Sequence, residues 1–147
     1  MASIIGDLAD ARIPEGFSLL EQCSGFLRNC GEFYVHEEWP ILAVRLAPHH
    51  VNYVRIAHGG FLATVADSAF GVMLRRLSKA RSPAITINLN VDYIGAVREG
   101  DWLEAHVEVL KTGRNFTHAS CLLKVGERLV LRANGVFTPW KGMTPCT

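Results

Sequence analysis

The chain has 147 residues, of which 49% are hydrophobic and 20% are charged, and its formal net charge at pH 7 is +1. This length fits a single domain over residues 1–147, and the apolar content excludes a disordered chain. The balanced charge predicts no nucleic-acid partner and no acidic-membrane partner. No apolar run approaches the roughly 18 residues of a membrane helix, and the amino end lacks a secretory pattern, so we expect a cytoplasmic protein.

The four cysteines form no pattern that predicts disulfides or a metal site. Six residues separate Cys23 from Cys30, whereas zinc knuckles usually place about two to four between their ligands. Cys121 and Cys146 add no regular spacing. We therefore expect a reduced protein that needs no metal and no other cofactor.

The first half of the chain predicts one long helix after two short strands. Residues 1–25 mix small, charged and apolar side chains, and we expect an N-terminal extension or a short helix there. Strands are predicted at 32–36 and 41–46, with a proline turn between them. Over 58–77, apolar residues recur at spacings of three and four, which is the pattern of a helix with one buried face. The apolar positions of that face are Leu62, Val65, Ala66, Ala69, Met73 and Leu77.

The second half predicts four strands in succession. Over 85–93 and 103–109, apolar and polar residues alternate, which is typical of a strand with one buried face. Two more strands are predicted at 116–125 and 128–137, with short turns between them. A single apolar helix followed by antiparallel strands can bury its apolar face only if the sheet curls around it. The sequence therefore predicts an α+β domain, with an antiparallel sheet wrapped around one central helix.

The most unusual segment runs from Asn52 to Asp67, across the start of the predicted helix. Gly59 and Gly60 disfavour a helix, yet they leave its first backbone N–H groups uncovered. A helix start of this kind can bind an anion or polarise a carbonyl group. The same glycines also fit a tight entry turn without any chemical role, so the pattern alone leaves both interpretations open.

Asp67 is the only acidic residue of the predicted helix, about 100° around from the centre of the apolar face. Its neighbours on that flank are small or apolar: Gly60, Ala63, Gly71 and Leu74. A carboxylate in such surroundings is partly desolvated, which is common at catalytic sites. The alternative is an aspartate that is hydrogen-bonded to a neighbouring strand.

The spacing within the helix predicts a shared site. Gly59 and Asp67 are eight residues apart, which is about 12 Å along a helix axis. An oxyanion donor and a nucleophile must both lie about 3 Å from one reacting centre, so one chain cannot easily supply both. In a two-fold dimer with antiparallel helices, Asp67 of one protomer can approach Gly59 of the other. We therefore expect a homodimer or a homotetramer.

The same segment resembles the HGG motif of hotdog-fold acyl-CoA thioesterases of the PaaI-like group. The shared features are an asparagine six residues before the histidine, two glycines after it, and an aspartate nine residues after it. The resemblance covers roughly residues 30–140, including the order of helix and strands. It implies a hotdog fold, acyl-CoA as the substrate partner, and hydrolysis to a free carboxylic acid and coenzyme A.

The resemblance also implies catalytic roles for five residues. Asn52 and the Gly59 amide would hold the thioester carbonyl in an oxyanion hole. Asp67 would be the nucleophile or the general base. Thr86, which stands where some relatives have serine, would place the attacking water, and His58 would orient the loop at the helix start.

Substrate binding is predicted at four further positions. Gly60 would lie beside the substrate at the helix start, and Arg81, Lys111 and Arg114 would meet the phosphates of coenzyme A. Exposed basic side chains in loops are also commonly only solvated, and the sequence leaves that alternative open. An apolar tunnel that does not define the acyl group is predicted from Phe61, Phe70, Met73 and Leu74.

Two other functions fit the same fold. A hotdog hydratase or dehydratase acts on acyl thioesters, but generally pairs a histidine with the acid, and no second histidine stands near Asp67 in the helix pattern. A non-catalytic acyl-CoA binding module would be expected of a chain that lacks the acid or is fused to a DNA-binding unit. The presence of Asp67 therefore favours hydrolysis over both.

Overall fold

The computed structural model describes residues 12–21, 25–78 and 82–142. A single 3-10 turn, Pro48–His50, lies between the third strand and the long helix. The strands and helices are, in chain order, β1 (Phe17–Leu19), α1 (Phe26–Cys30), β2 (Phe33–His36), β3 (Ile41–Arg45), α2 (Gly59–Leu77), β4 (Ala84–Tyr93), β5 (Trp102–Thr112), β6 (Thr117–Val125) and β7 (Arg128–Pro139).

The seven strands form one antiparallel sheet in the order β1-β2-β3-β5-β6-β7-β4. The long helix α2 packs against strands β3 to β7, so the sheet wraps around it. This arrangement is a single hotdog fold, and the predicted α+β architecture is confirmed. Among the described helices, none is long and apolar enough to cross a membrane.

The core lies between α2 and the sheet. Every predicted member of the apolar helix face is buried except Leu77, which is 55% exposed at the helix end. Phe70 and Leu74 join that face, because positions one turn apart on a helix share a side. The facing strands contribute alternate residues, which include the buried Cys121. Burial raises the pKa of this thiol to about 12, so it stays protonated and inert.

The amino-terminal segment differs from the expectation of a helix where the structure describes it. Phe17–Leu19 is a strand that pairs with β2 and extends the sheet at one edge. Three residues are too few to show a period of two, so no local pattern predicts this strand. The rest of the predicted extension, residues 1–11 and 22–24, lies outside the described residues.

Strand β4 lies at the other edge of the sheet, and its surroundings differ from the predicted half-buried strand. Ile85, Ile87 and Tyr93 are 40%, 55% and 56% exposed. Within the described residues β4 pairs only with β7, and a β-bulge at Ile87 interrupts that pairing. The bulge shifts the alternation, so that Leu89 and Val91 pack against the core while Ile85 and Ile87 stay exposed. A long edge strand with apolar side chains is a surface on which another chain can pair.

Candidate active site

The loop that leads into α2 closes on itself through backbone hydrogen bonds. Val51 and Ala57 form an antiparallel bridge, and the Asn52 N–H donates to the Ile56 carbonyl at 2.8 Å. Arg55 adopts a left-handed conformation at φ 67° and donates its N–H to the Asn52 carbonyl at 2.9 Å. These contacts hold the loop as a compact turn at the helix start.

The carboxamide of Asn52 is oriented by this turn. Its Oδ1 accepts hydrogen bonds from the N–H groups of Val54, at 3.0 Å, and Ile56, at 3.3 Å. Because the oxygen faces the turn, the Nδ2 group points away from it as a donor. Nδ2 has no partner within the described residues, so it is free to donate to a ligand.

His58 caps the start of α2. Its Nδ1 accepts the N–H of Gly60 at 2.9 Å, which is the contact expected of an N-cap side chain. A Cβ at Gly60 would lie 3.0 Å from that nitrogen, so a glycine suits this contact. The Gly60 amide is therefore engaged within the chain. The Gly59 N–H has no acceptor among the described residues and is the open donor at this helix start.

Tyr93 belongs to this part of the site, although the sequence analysis did not identify it. Its hydroxyl donates to the Gly59 carbonyl at 2.7 Å and joins the end of β4 to the first residue of α2. Asn52, Gly59 and Tyr93 line one cleft of about 350 Å³, together with Leu62 and residues 94–97. The aromatic residue that ends the alternating pattern of β4 was the only signal of this contact, because 34 residues separate its partners.

Asp67 and Thr86 form the second part of the site. Asp67 is half-buried on α2, and its Oδ1 accepts a hydrogen bond from Thr86 Oγ1 at 2.7 Å. The structure thus brings together the acid and the hydroxyl to which the resemblance gives adjacent roles. The same hydrogen bond would also form if Asp67 had only a structural role, because it joins the helix to a neighbouring strand.

The two parts of the site lie apart within one chain. Gly59 and Asp67 are separated by eight residues of α2, which is about 12 Å. Tyr93 and Thr86 are separated by seven residues of β4, which is about 23 Å along an extended strand. Neither Asp67 nor Thr86 lines the cleft beside Gly59.

The predicted basic residues are only partly described. Lys111 and Arg114 are exposed and line a shallow cleft of about 280 Å³ at the turn between β5 and β6, while Arg81 lies outside the described residues. Thr117, which begins β6, pairs with Phe137 of β7, and Phe137 pairs with Thr86. Thr117 is therefore about 10 Å from Thr86 by strand spacing, and the basic turn that precedes it lies at the same end of the sheet.

The tunnel predicted from four apolar residues is wrong in that form. Phe70 and Met73 are fully buried in the core, and Phe61 stacks against His50. Leu74 instead lines a cavity of about 480 Å³ together with Leu77, Val109 and Phe137. The reason is that Phe70 and Met73 point into the sheet that wraps around α2.

No group of three or more His, Cys, Asp or Glu side chains in the described part of the chain is placed to hold a metal ion. Cys30 and Cys121 are free thiols, while Cys23 and Cys146 lie outside the described residues. That the site needs no metal or other cofactor stays a prediction.

Sequence comparison finds relatives over most of the chain. The family model of the thioesterase superfamily matches residues 55–133. A Pseudomonas aeruginosa protein provisionally named an esterase is 38% identical over 128 residues, which are 85% of this chain and 96% of that protein. Mouse acyl-coenzyme A thioesterase 13 is 25% identical over 80 residues, which are 54% of this chain and 56% of the mouse protein.

Structural comparison gives the same fold. A hypothetical thioesterase of Streptococcus pneumoniae, solved with coenzyme A, matches with a TM-score of 0.64 at 20% identity, over 85% of this chain and 89% of the other. The PaaI protein of Escherichia coli, from the phenylacetic acid degradation operon, matches with a TM-score of 0.67 at 16% identity, over 87% and 82%. Because these identities are below 25%, the two matches show a shared fold.

Proposed function

The chain belongs to the thioesterase superfamily and is a thioester hydrolase, and we propose that it cleaves acyl-CoA to a carboxylic acid and coenzyme A at a site shared by two protomers. One observation carries this proposal. The chain has two open donors at the start of α2 and a hydroxyl-bonded acid two turns further along the same helix. Relatives that are solved with coenzyme A or acetyl-CoA support the substrate class.

The open donors fit the carbonyl oxygen of a thioester. The Gly59 N–H and Asn52 Nδ2 would both donate to this oxygen as it becomes negative in the tetrahedral intermediate. The helix start adds partial positive charge at the same point. Because the turn and the Tyr93 contact hold both donors in place, little reorganisation is needed when the charge develops.

Asp67 would supply the reaction with its base or its nucleophile. As a base, it takes a proton from water while the water oxygen bonds to the carbonyl carbon, and the C–S bond then breaks to release coenzyme A. As a nucleophile, it displaces the thiolate and forms an anhydride that water then hydrolyses. In both routes the hydroxyl of Thr86, already bonded to the carboxylate, orients the acid and the incoming water.

The exposed edge of β4 supports the assembly that such a site needs. If two β4 strands pair antiparallel about a two-fold axis at Asn90, and the β-bulge at Ile87 takes up one residue, Thr86 lies across from Tyr93 of the partner subunit. Thr86 contacts Asp67, and Tyr93 contacts Gly59. This pairing would therefore carry the acid of one protomer toward the oxyanion donors of the other, and it would satisfy the open backbone edge of β4.

Two further features fit the shared site. A Cβ at Gly71, four residues after Asp67, would meet no atom within 4 Å among the described residues, so this flank leaves room for a second chain or a substrate. Lys111 and Arg114 lie at the end of the sheet near Thr86, where they would bind the phosphates of coenzyme A. A dimer or tetramer and a cytoplasmic location belong to the same proposal.

A hydrolysis screen tests the proposal. Aryl-, short-, medium- and long-chain acyl-CoAs are offered to the protein, and the released thiol is measured. Asp67→Asn keeps the shape and removes the base, so turnover of the best substrate should fall by at least about a hundredfold. Glu127→Gln, which neutralises an exposed carboxylate in the turn between β6 and β7, is the matched control and should keep full activity. An Asp67→Asn variant with more than about half of the activity would remove Asp67 from the mechanism.

A further inference from the structure

His50 is the one buried polar or charged side chain in the part of the chain that the structure describes, with 3% exposure. Its Nδ1 accepts the N–H of Ala47 at 2.9 Å, which places the ring proton on Nε2. Nε2 donates that proton to the Cys30 carbonyl. Both ring nitrogens are thus satisfied by the neutral tautomer, and burial lowers the pKa of His50, which favours the same form.

The ring of His50 joins two helices that are distant in sequence. Cys30 is the last residue of α1, so the bond from Nε2 reaches back to that helix end. On its other side, the ring stacks on Phe61, in the first turn of α2, with centroids 3.9 Å apart and an angle of 6° between the planes. His50 therefore fixes the start of α2 against the end of α1.

The backbone of His50 also closes the loop that carries the oxyanion donors, which we call the oxyanion loop and define as residues 51–60. The His58 N–H donates to the His50 carbonyl at 2.8 Å, directly before the helix start. Asn52 follows His50 by two residues, and Gly59 follows His58. Both ends of the loop are thus attached to the residue whose ring is locked in the core.

Gly31 makes room for this ring. A Cβ at Gly31 would lie 3.2 Å from His50 Nε2 and 3.4 Å from its Cε1, tighter than most real contacts. Gly31 also has a φ of +129°, which side-chain-bearing residues rarely adopt. A second segment of the chain is therefore shaped to admit the histidine.

We propose that His50 is a positioning residue for the oxyanion loop. It would act on the thioester only through Asn52 and Gly59, by holding the loop and the first turn of α2 in one place. An inaccuracy of about 1 Å in such donors can cost a hundredfold in rate. The effect on turnover rests on the proposed function, whereas the effect on the loop does not.

Three variants separate the contacts of the ring. His50→Phe keeps the stacking on Phe61 and loses both hydrogen bonds, so kcat should fall at least about tenfold while KM changes less than twofold, as for an interaction that matters in the transition state. His50→Gln restores a donor toward Cys30 and should recover more than half of kcat. His50→Asn restores only the acceptor for Ala47 and should behave like His50→Phe. Glu127→Gln, at an exposed carboxylate in the turn between β6 and β7, is the control and should stay within twofold of the parent.

A double variant tests whether the effect passes through the oxyanion loop. In an Asn52→Ala background, His50→Phe should lower kcat by clearly less than tenfold, because one of the two donors that it positions is already gone. If the full tenfold loss returns in that background, His50 does not act through Asn52 and the proposal is overturned. If His50→Phe does not fold, His50→Asn takes its place in both comparisons.

Amide hydrogen exchange supplies a result that does not depend on turnover. The N–H groups of Ala57 and His58, which donate to the Val97 and His50 carbonyls, should exchange at least about tenfold faster in His50→Phe, while β5 and β6 stay protected. Unchanged exchange, or an equal rise across β5 and β6, overturns the proposal. If the loop responds as expected but the parent protein hydrolyses no acyl-CoA, the proposed function fails and the tie between His50 and the loop stands.

Discussion

A mixture of two inactive variants tests the shared site most directly. Asn52→Ala removes an oxyanion donor, and Asp67→Ala removes the acid, so each variant alone should have less than about 1% of the parent activity. Each homo-oligomer then has the same lesion at every site. When the two chains are unfolded together and refolded as a mixture, some sites receive Asn52 from one protomer and Asp67 from the other, and those sites are intact.

The expected recovery follows from the separation of the two groups. Because about 12 Å along α2 separates Gly59 from Asp67, a site takes its donors from one chain and its acid from another. In an equimolar mixture, each contribution is intact with a chance of about one half, so about a quarter of the sites are complete by the symmetry of the pair. The estimate is the same for a dimer and a tetramer.

The assay is thiol release from the best acyl-CoA, with mass spectrometry of the intact assembly to count mixed oligomers. The matched control pairs Asn52→Ala with the double variant Asn52→Ala/Asp67→Ala, a mixture in which no site can be complete. Activity near a quarter of the parent in the test mixture, and none in the control, is the expected result. Mixed oligomers whose activity does not exceed the mean of the two variants would show that one chain supplies the whole site.

Three further predictions address single groups. Thr86→Ala should lower turnover about tenfold, because a hydrogen bond to a charged group is lost, whereas Thr86→Ser keeps the bond at 2.7 Å and should be nearly silent; a serine variant as impaired as alanine would show that the methyl group matters instead. Arg114→Ala should raise KM for acyl-CoA and spare kcat, and it should not affect a pantetheine thioester that lacks the nucleotide phosphates; equal losses on both substrates would contradict phosphate binding. Burial lowers the pKa of His50 below its ordinary value of 6.5, so the unfolded chain takes up a proton first as the pH falls, and the free energy of unfolding should decrease from about pH 6.5 down toward the native pKa. Denaturant titrations at several pH values check this, and His50→Phe should remove that part of the slope.

The elements of the fold were predictable because their signals are local. The spacing of three and four over 58–77 describes a helix face, and the structure has that helix at Gly59–Leu77. The alternation over 85–93 and 103–109 likewise describes strands, which the structure has at Ala84–Tyr93 and Trp102–Thr112. The spacing of His58, Gly59 and Asp67 also indicated the family.

The contacts between elements depended on the tertiary structure. No local pattern of the sequence indicates that His50 is buried, because its partners Cys30 and Phe61 come from two other elements. Tyr93 joins the site through a carbonyl 34 residues away, which no local pattern encodes.

Strand β4 separates what the sequence determined from what only the tertiary structure decided. The alternation of its side chains predicted one apolar face from Ile85 to Tyr93. The β-bulge at Ile87 shifts that alternation in the structure, so Leu89 and Val91 pack against the core while Ile85 and Ile87 stay exposed. The physical reason is that a period of two holds only along a regular strand, whereas a bulge depends on the pairing with a distant strand and changes which side the later residues face.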